Sequence, residues 1–136
     1  MATRVNGGTR TPNHPLPERE NGELLVNDPA ELGYLMHQAF NNRDIDAIDT
    51  IFAADFYSHP LAAGRDALKV AWKALADQHP DSRTVVDHAF AHGDVVALRA
   101  TVHGFEDNGK TTTLLEMFRV ADGRIAEIWG AMATAR

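Results

Sequence analysis

Two ionisable residues draw notice by their setting. His59 lies in "DFYSHP" (55–60), directly before Pro60 and two residues after Tyr57. The proline restricts His59 to an extended backbone, which gives its side chain a fixed direction. An imidazole titrates close to neutrality and can take up a proton there. Glu116 lies in "LLEMFRV" (114–120). Strand alternation puts Leu114, Glu116 and Phe118 on one face. An acid between large apolar side chains is either turned outward and paired across strands with Arg99 or Arg119, or enclosed, where its charge loses hydration. Leu114 and Phe118 favour the inward reading. On residue type alone, His59 is more readily a core histidine with one satisfied hydrogen bond than a working base.

The rest of the composition removes several chemistries. The chain has 136 residues, which suits one domain with a real core. Its net charge is −6. The three lysines are scattered and the arginines form no block, so nucleic acid is not expected as a partner. No cysteine is present, which excludes disulfides, thiol nucleophiles and cysteine-bound metal. No apolar run reaches the length of a membrane span, and the N-terminus has no continuous apolar stretch of a secretory signal. These features lead us to expect a cytoplasmic protein. Of His37, His79, His88, His92 and His103 only His88 and His92 stand in an HxxxH spacing, in a period-two run that does not gather them as a helix would, and His14 lies in the leader, so no metal site is expected. The glycine-rich nucleotide and phosphate loops, the serine-hydrolase elbow and the HExxH signature are also missing.

The elements that would position His59 and Glu116 follow from periodicity. Residues 1–28 are polar, rich in proline and glycine, and without helical period; they read as a flexible or docked extension. The domain is expected over 29–136. Asp28-Pro29 opens a first helix with Leu32, Leu35, Met36, Ala39 and Phe40 as its apolar stripe. Asp44 caps a second, with Ile45, Ile48, Ile51 and Phe52 buried. A third follows "AAGRD" (62–66), carries Ala67, Leu68, Ala71, Trp72 and Leu75, and ends by "QHP" (78–80). After residue 82 the period changes to two. "RTVVDHAFAHGDVVALRATVHGF" holds two strands split at 92–94, with Val96, Leu98, Ala100 and Val102 on one face and Arg99, Thr101 and His103 on the other. Asn108-Gly109 marks a hairpin turn. "TTTLLEMFRV" (111–120) and "IAEIWGAMA" (125–133) are the last strands, joined at "ADGR" (121–124). Helices followed by strands argue an α+β fold, with three helices on a curved antiparallel sheet of four to six strands. "FYSHPL" would supply a short strand between the halves.

In that order, "FNNRDIDAIDTIFAADFYSHPLAAGRDAL" (40–68), "HGDVVALRATVHG" (92–104) and "LLEMFRVADGRIAEIW" (114–129) resemble the nuclear transport factor 2-like superfamily, a cone-shaped α+β fold. Polyketide cyclases of the SnoaL type and ketosteroid isomerases both show this outline. The resemblance implies no cofactor, a hydrophobic small-molecule substrate and a homodimer formed through the convex sheet face. It places histidine at His59 where the isomerases carry a proton-shuttling aspartate. It matches Glu116 to a carboxylic acid that donates to a developing oxyanion. Two positions depart from the pattern. The isomerase tyrosine of the first helix corresponds to Met36, which cannot donate, leaving Tyr34 and Tyr57 as substitutes. The cyclase aspartate after the last tryptophan corresponds to Gly130.

The expected machinery is therefore His59 as base, with Glu116 or Tyr57 as donor. Tyr34, Met36, Trp72, Leu98, Phe118, Ile128, Gly130 and Met132 are expected as the substrate-binding wall. Such a site would move a proton next to a carbonyl, as isomerase, cyclase or dehydratase. The alternatives are a non-catalytic module that binds a hydrophobic ligand or dimerises, and an epoxide hydrolase. Catalysis requires His59 and Glu116 to face one cavity. A binding module would have one or both turned away.

Overall fold

The structure is a computed structural model, which describes residues 28–134. The expected extension over 1–28 falls, apart from Asp28, outside the described residues. Helix α1 spans Ala30–Asn41. The Asp28 carboxylate accepts from the Ala30 backbone N–H at 3.0 Å, so the cap read in the sequence is made. Apart from Glu31, residues 30–40 of this helix are all buried, far more than the one apolar stripe its sequence shows. The helix is enclosed by the sheet on one side and the other helices on the other.

Gly33 explains how α1 comes so close. A Cβ at this position would lie 2.7 Å from Leu98 Cδ1 and 3.5 Å from the Phe118 ring. Hydrogen in place of a side chain lets the helix rest directly on the sheet. One helical turn further on the same row is His37, and one turn beyond that Asn41.

The second helix is shorter than expected. A 3-10 turn at Ile45–Ala47, capped by Asp44, runs into a single turn, α2, at Ile48–Ile51. Phe52 does not close that helix but begins strand β1, Phe52–Ser58. Helix α3 spans Arg65–Gln78 and buries Leu68 and Trp72. Strands β2 (Arg83–His92), β3 (Val95–His103), β4 (Thr112–Ala121) and β5 (Arg124–Thr134) follow. The sheet order is β1-β5-β4-β3-β2. β2 to β5 form the antiparallel meander, while β1 joins β5 in parallel, so the five-stranded sheet is mixed. The turn at Asp122-Gly123 has both residues at positive φ, which suits the twist of a tight hairpin. The Asn108-Gly109 pair instead sits in a longer loop between His103 and Thr112.

Arg43 ties the helical half to the sheet. Its guanidinium donates to the backbone carbonyls of Phe40, Pro80 and Ser82. This anchors the start of β2 beside the end of α1. The core of Leu32, Leu35, Ile48, Ile51, Phe52, Phe118 and Ile125 lies between helices and sheet. Because Gly33 sits at the closest approach, Gly33→Leu should destabilise the protein by about 1–3 kcal/mol from overpacking, despite leucine's better helix propensity. Urea denaturation of the two proteins measures this, and an equally or more stable variant would remove the close-approach argument.

Candidate functional site

Strand alternation sends Thr112, Leu114, Glu116 and Phe118 of β4 inward, and Leu115, Met117 and Arg119 outward. Glu116 pairs in register with Leu98 on β3 and Gly130 on β5. The inward side of the sheet and the helices enclose a cavity of about 340 Å³. Its wall is mostly apolar: Met36, Phe40, Phe52, Leu68, Trp72, Leu114, Ile128 and Met132 are among the lining residues. The polar side chains on it are His37, Ser58, Thr84 and Glu116.

Three of these four are linked. His37 Nε2 lies 2.8 Å from Glu116 Oε1, and His37 Nδ1 lies 2.8 Å from Thr84 Oγ1. The side chains of His37 and Glu116 are 7% and 14% exposed, so this contact is largely shielded from water. A separation of 2.8 Å between a ring nitrogen and a carboxyl oxygen requires a proton between them. An ionisable pair holding a proton at the wall of an apolar cavity can exchange protons with a bound molecule. Ser58 is buried and its hydroxyl accepts from the Leu61 N–H at 3.2 Å, which shapes the bend after β1.

The histidine at this site is not the one the sequence favoured. Ser58 pairs with Ile128 and turns inward, so alternation turns His59 outward and returns Pro60 to the cavity wall. His59 Nε2 is 2.7 Å from Glu127 Oε2, and the ring stacks on Trp129 at 4.7 Å with an interplanar angle of 9°. Glu127 also accepts from Arg119 Nε at 3.2 Å. The hydrogen bond from His59, followed by that from Arg119, holds the Glu127 carboxyl below its ordinary pKa. His59 thus belongs to an ion-pair cluster on the outer face and does not face the cavity with Glu116. Tyr57 shares that outer face and is exposed, against the expectation that it would donate into the site.

Of the residues expected on the wall, five reach the cavity. Met36, Trp72, Ile128, Gly130 and Met132 line the cavity. Leu98 and Phe118 face inward as read, but lie under α1 at Gly33 and are taken up by the core. Tyr34 is buried on α1 and is not among the residues that line the cavity. Arg99 is on the outer face, paired with Asp87. Gly130 lies beside Glu116, and a Cβ there would meet Glu116 Cγ at 3.7 Å, an ordinary contact. His37 and Thr84 were missed. A usable signal existed, because Gly33, His37 and Asn41 fall four residues apart on one row of a helix whose other residues, apart from Glu31 and Gln38, are apolar or aromatic. Among the described residues, no group of three or more potential metal-binding side chains occurs, and no helix is long and apolar enough to cross a membrane.

A cone of helices on this sheet with such a cavity is the arrangement of nuclear transport factor 2-like proteins. The sequence profile of the SnoaL-like domain matches residues 34–128, and the chain belongs to that family. It is similar to wild-type IdmH of Streptomyces antibioticus, a suggested polyketide cyclase. The identity is 26% and the TM-score 0.67, over 76% of this chain and 91% of that one. A suggested polyketide cyclase of Sinorhizobium meliloti is also 26% identical, with a TM-score of 0.65 over 74% and 94%. A SnoaL-like polyketide cyclase of Agrobacterium tumefaciens shares the fold at 13% identity, with a TM-score of 0.70 over 79% and 93%. None of the curated proteins compared matches the chain.

Proposed function

We propose that the protein is a cofactor-independent enzyme that transfers protons on a hydrophobic carbonyl compound, with His37 and Glu116 as its acid–base pair. The observation that carries this reading is the 2.8 Å contact between His37 Nε2 and Glu116 Oε1 at the wall of an apolar cavity. The expected pair was His59 as base with Glu116 as donor; in this proposal Glu116 is the base and His37 replaces His59 as its partner. The likeness to suggested polyketide cyclases supports a carbonyl-rich, largely apolar substrate.

The chemistry follows from one proton and two groups. A carbon acid next to a carbonyl gives its proton to the Glu116 carboxylate, which is held by the imidazolium of His37. The C–H bond breaks, an O–H bond forms on Glu116, and the electron pair moves into the enolate. The pair is now one proton richer, and its positive charge stabilises the enolate oxygen in a site that excludes most water. Return of the proton at another carbon isomerises a double bond. Attack of the enolate on an internal carbonyl closes a ring, and loss of a β-hydroxyl dehydrates.

A second reading keeps the cavity and drops the chemistry. His59 is turned away and the walls are mostly apolar, which suits a module that only binds a hydrophobic ligand. Epoxide hydrolysis gains no support, because Arg99 is outside and, among the described residues, no arginine lines the cavity.

We also propose a homodimer formed through the outer sheet face. Leu115, Met117 and Trp129 are exposed there side by side on β4 and β5, more apolar surface than a free sheet face needs. Replacing Met117 by glutamate should convert a dimer to a monomer in sedimentation velocity. A wild-type protein that sediments as a monomer would refute the dimer.

The catalytic reading is tested by deuterium incorporation from D₂O into the acidic carbons of a panel of cyclic β,γ-unsaturated and 1,3-dicarbonyl ketones. Wild type and His59→Ala should exchange at similar rates. His37→Ala and Glu116→Gln should each lose on the order of 10²–10⁴-fold. Equal exchange in all four proteins would leave the binding module as the reading.

A further inference from the structure

His37 and Glu116 do not stand alone. Behind them, Asn41 and Thr84 form a closed unit on the Nδ1 side of His37. Asn41 Nδ2 donates to the Thr84 carbonyl at 2.8 Å, and Asn41 Oδ1 accepts from the Thr84 backbone N–H at 2.8 Å. These two bonds fix the amide, with its nitrogen at the Thr84 carbonyl and its oxygen at the Thr84 N–H. That oxygen also lies 3.4 Å from Thr84 Oγ1. Arg43 holds the neighbouring Ser82 carbonyl at 2.9 Å, so β2 is anchored where it meets the end of α1.

The Thr84 hydroxyl has one hydrogen and two acceptors within reach. If it donates to His37 Nδ1, the ring hydrogen must be on Nε2 and point at a charged Glu116. The pair then carries a net negative charge beside Met36, Leu114 and Ile128, with its hydration removed. If the hydroxyl donates to Asn41 Oδ1 instead, its lone pair faces Nδ1, which must carry hydrogen. The remaining proton then lies between Nε2 and Oε1, and the pair as a whole is neutral. The second arrangement satisfies each of these polar atoms without enclosing a net charge.

We infer that Asn41 and Thr84 are positioning residues that hold His37 with hydrogen on Nδ1, so that its Nε2 and Glu116 Oε1 share a single proton. This rests on the acid–base reading for its use, but not for its test. The consequence for that reading is direct. A shared proton leaves the pair able both to accept a proton from a carbon acid and to return it. A charged Glu116 beside a neutral Nε2–H ring would lack the imidazolium that stabilises an enolate.

The test is ¹⁵N NMR of the uniformly labelled full-length protein, using long-range ¹H–¹⁵N correlations of the imidazole rings near neutral pH. The His37 signals are assigned by their loss in His37→Gln. In the wild type, His37 Nδ1 should show the shift of a protonated nitrogen. Thr84→Val removes only the hydroxyl and keeps both backbone bonds to Asn41; in it Nδ1 loses its acceptor and should move towards the unprotonated shift. Thr84→Ser should restore the wild-type pattern. An unprotonated Nδ1 in the wild type overturns the inference whatever the variants do, and so does a ring form that Thr84→Val leaves unchanged. The spectrum does not read catalysis. Loss of deuterium exchange in the function test would therefore leave this result standing, and the reverse.

Discussion

The structure depends on one hydrogen bond across its middle, from a histidine on the enclosed helix to an acid on the sheet. Neither partner could be buried singly without cost. A lone carboxyl against Leu114 and Ile128, or a lone imidazole on a helix with almost no exposed face, would lose its hydration for nothing in return. Joined at 2.8 Å, each satisfies the other. The helix can bring His37 there only because Gly33, one turn earlier, allows it to lie against Leu98 and Phe118. Backbone approach, core packing and candidate chemistry are thus one constraint seen at three scales.

That constraint also divides the sheet into two surfaces of different character. Inward, successive strands offer a cavity whose few polar groups converge on Glu116. Outward, they offer Leu115, Met117 and Trp129 together with the His59–Glu127–Arg119 cluster. In that cluster the depressed Glu127 pKa reflects charged and hydrogen-bonding neighbours at the surface, not burial. A perturbed carboxyl by itself would have pointed to the wrong side of the sheet. The geometry of the cavity, not the titration of its neighbours, identifies the site.

The strands were legible because period-two alternation is written residue by residue: β2 to β5 begin and end within a residue or two of where the pattern changes. The inward turn of Glu116 was legible for the same reason. The second helix was overextended because Phe52 continues its apolar spacing, although its ring serves the core from the start of β1. Which histidine meets Glu116 was not legible from "DFYSHP". The proline does fix His59, but direction depends on the register of β1 against β5, and that register puts Ser58 inside. His37 was hidden by the assumption that a helix has a wet face. Once α1 is enclosed, the row of Gly33, His37 and Asn41 is the side that lies against the sheet.

The central claim is that the cavity recognises an enolate-like oxygen through His37 and Glu116. Fluorescence titration with a polycyclic phenol, whose ionised oxygen mimics an enolate, tests this most directly. The account predicts binding by the wild type and by His59→Ala with similar affinity, and binding weakened roughly tenfold or more in both His37→Ala and Glu116→Gln, the effect of losing one charge-assisted hydrogen bond in a shielded site. Equal affinity in all four proteins, or weakening in His59→Ala alone, would contradict it.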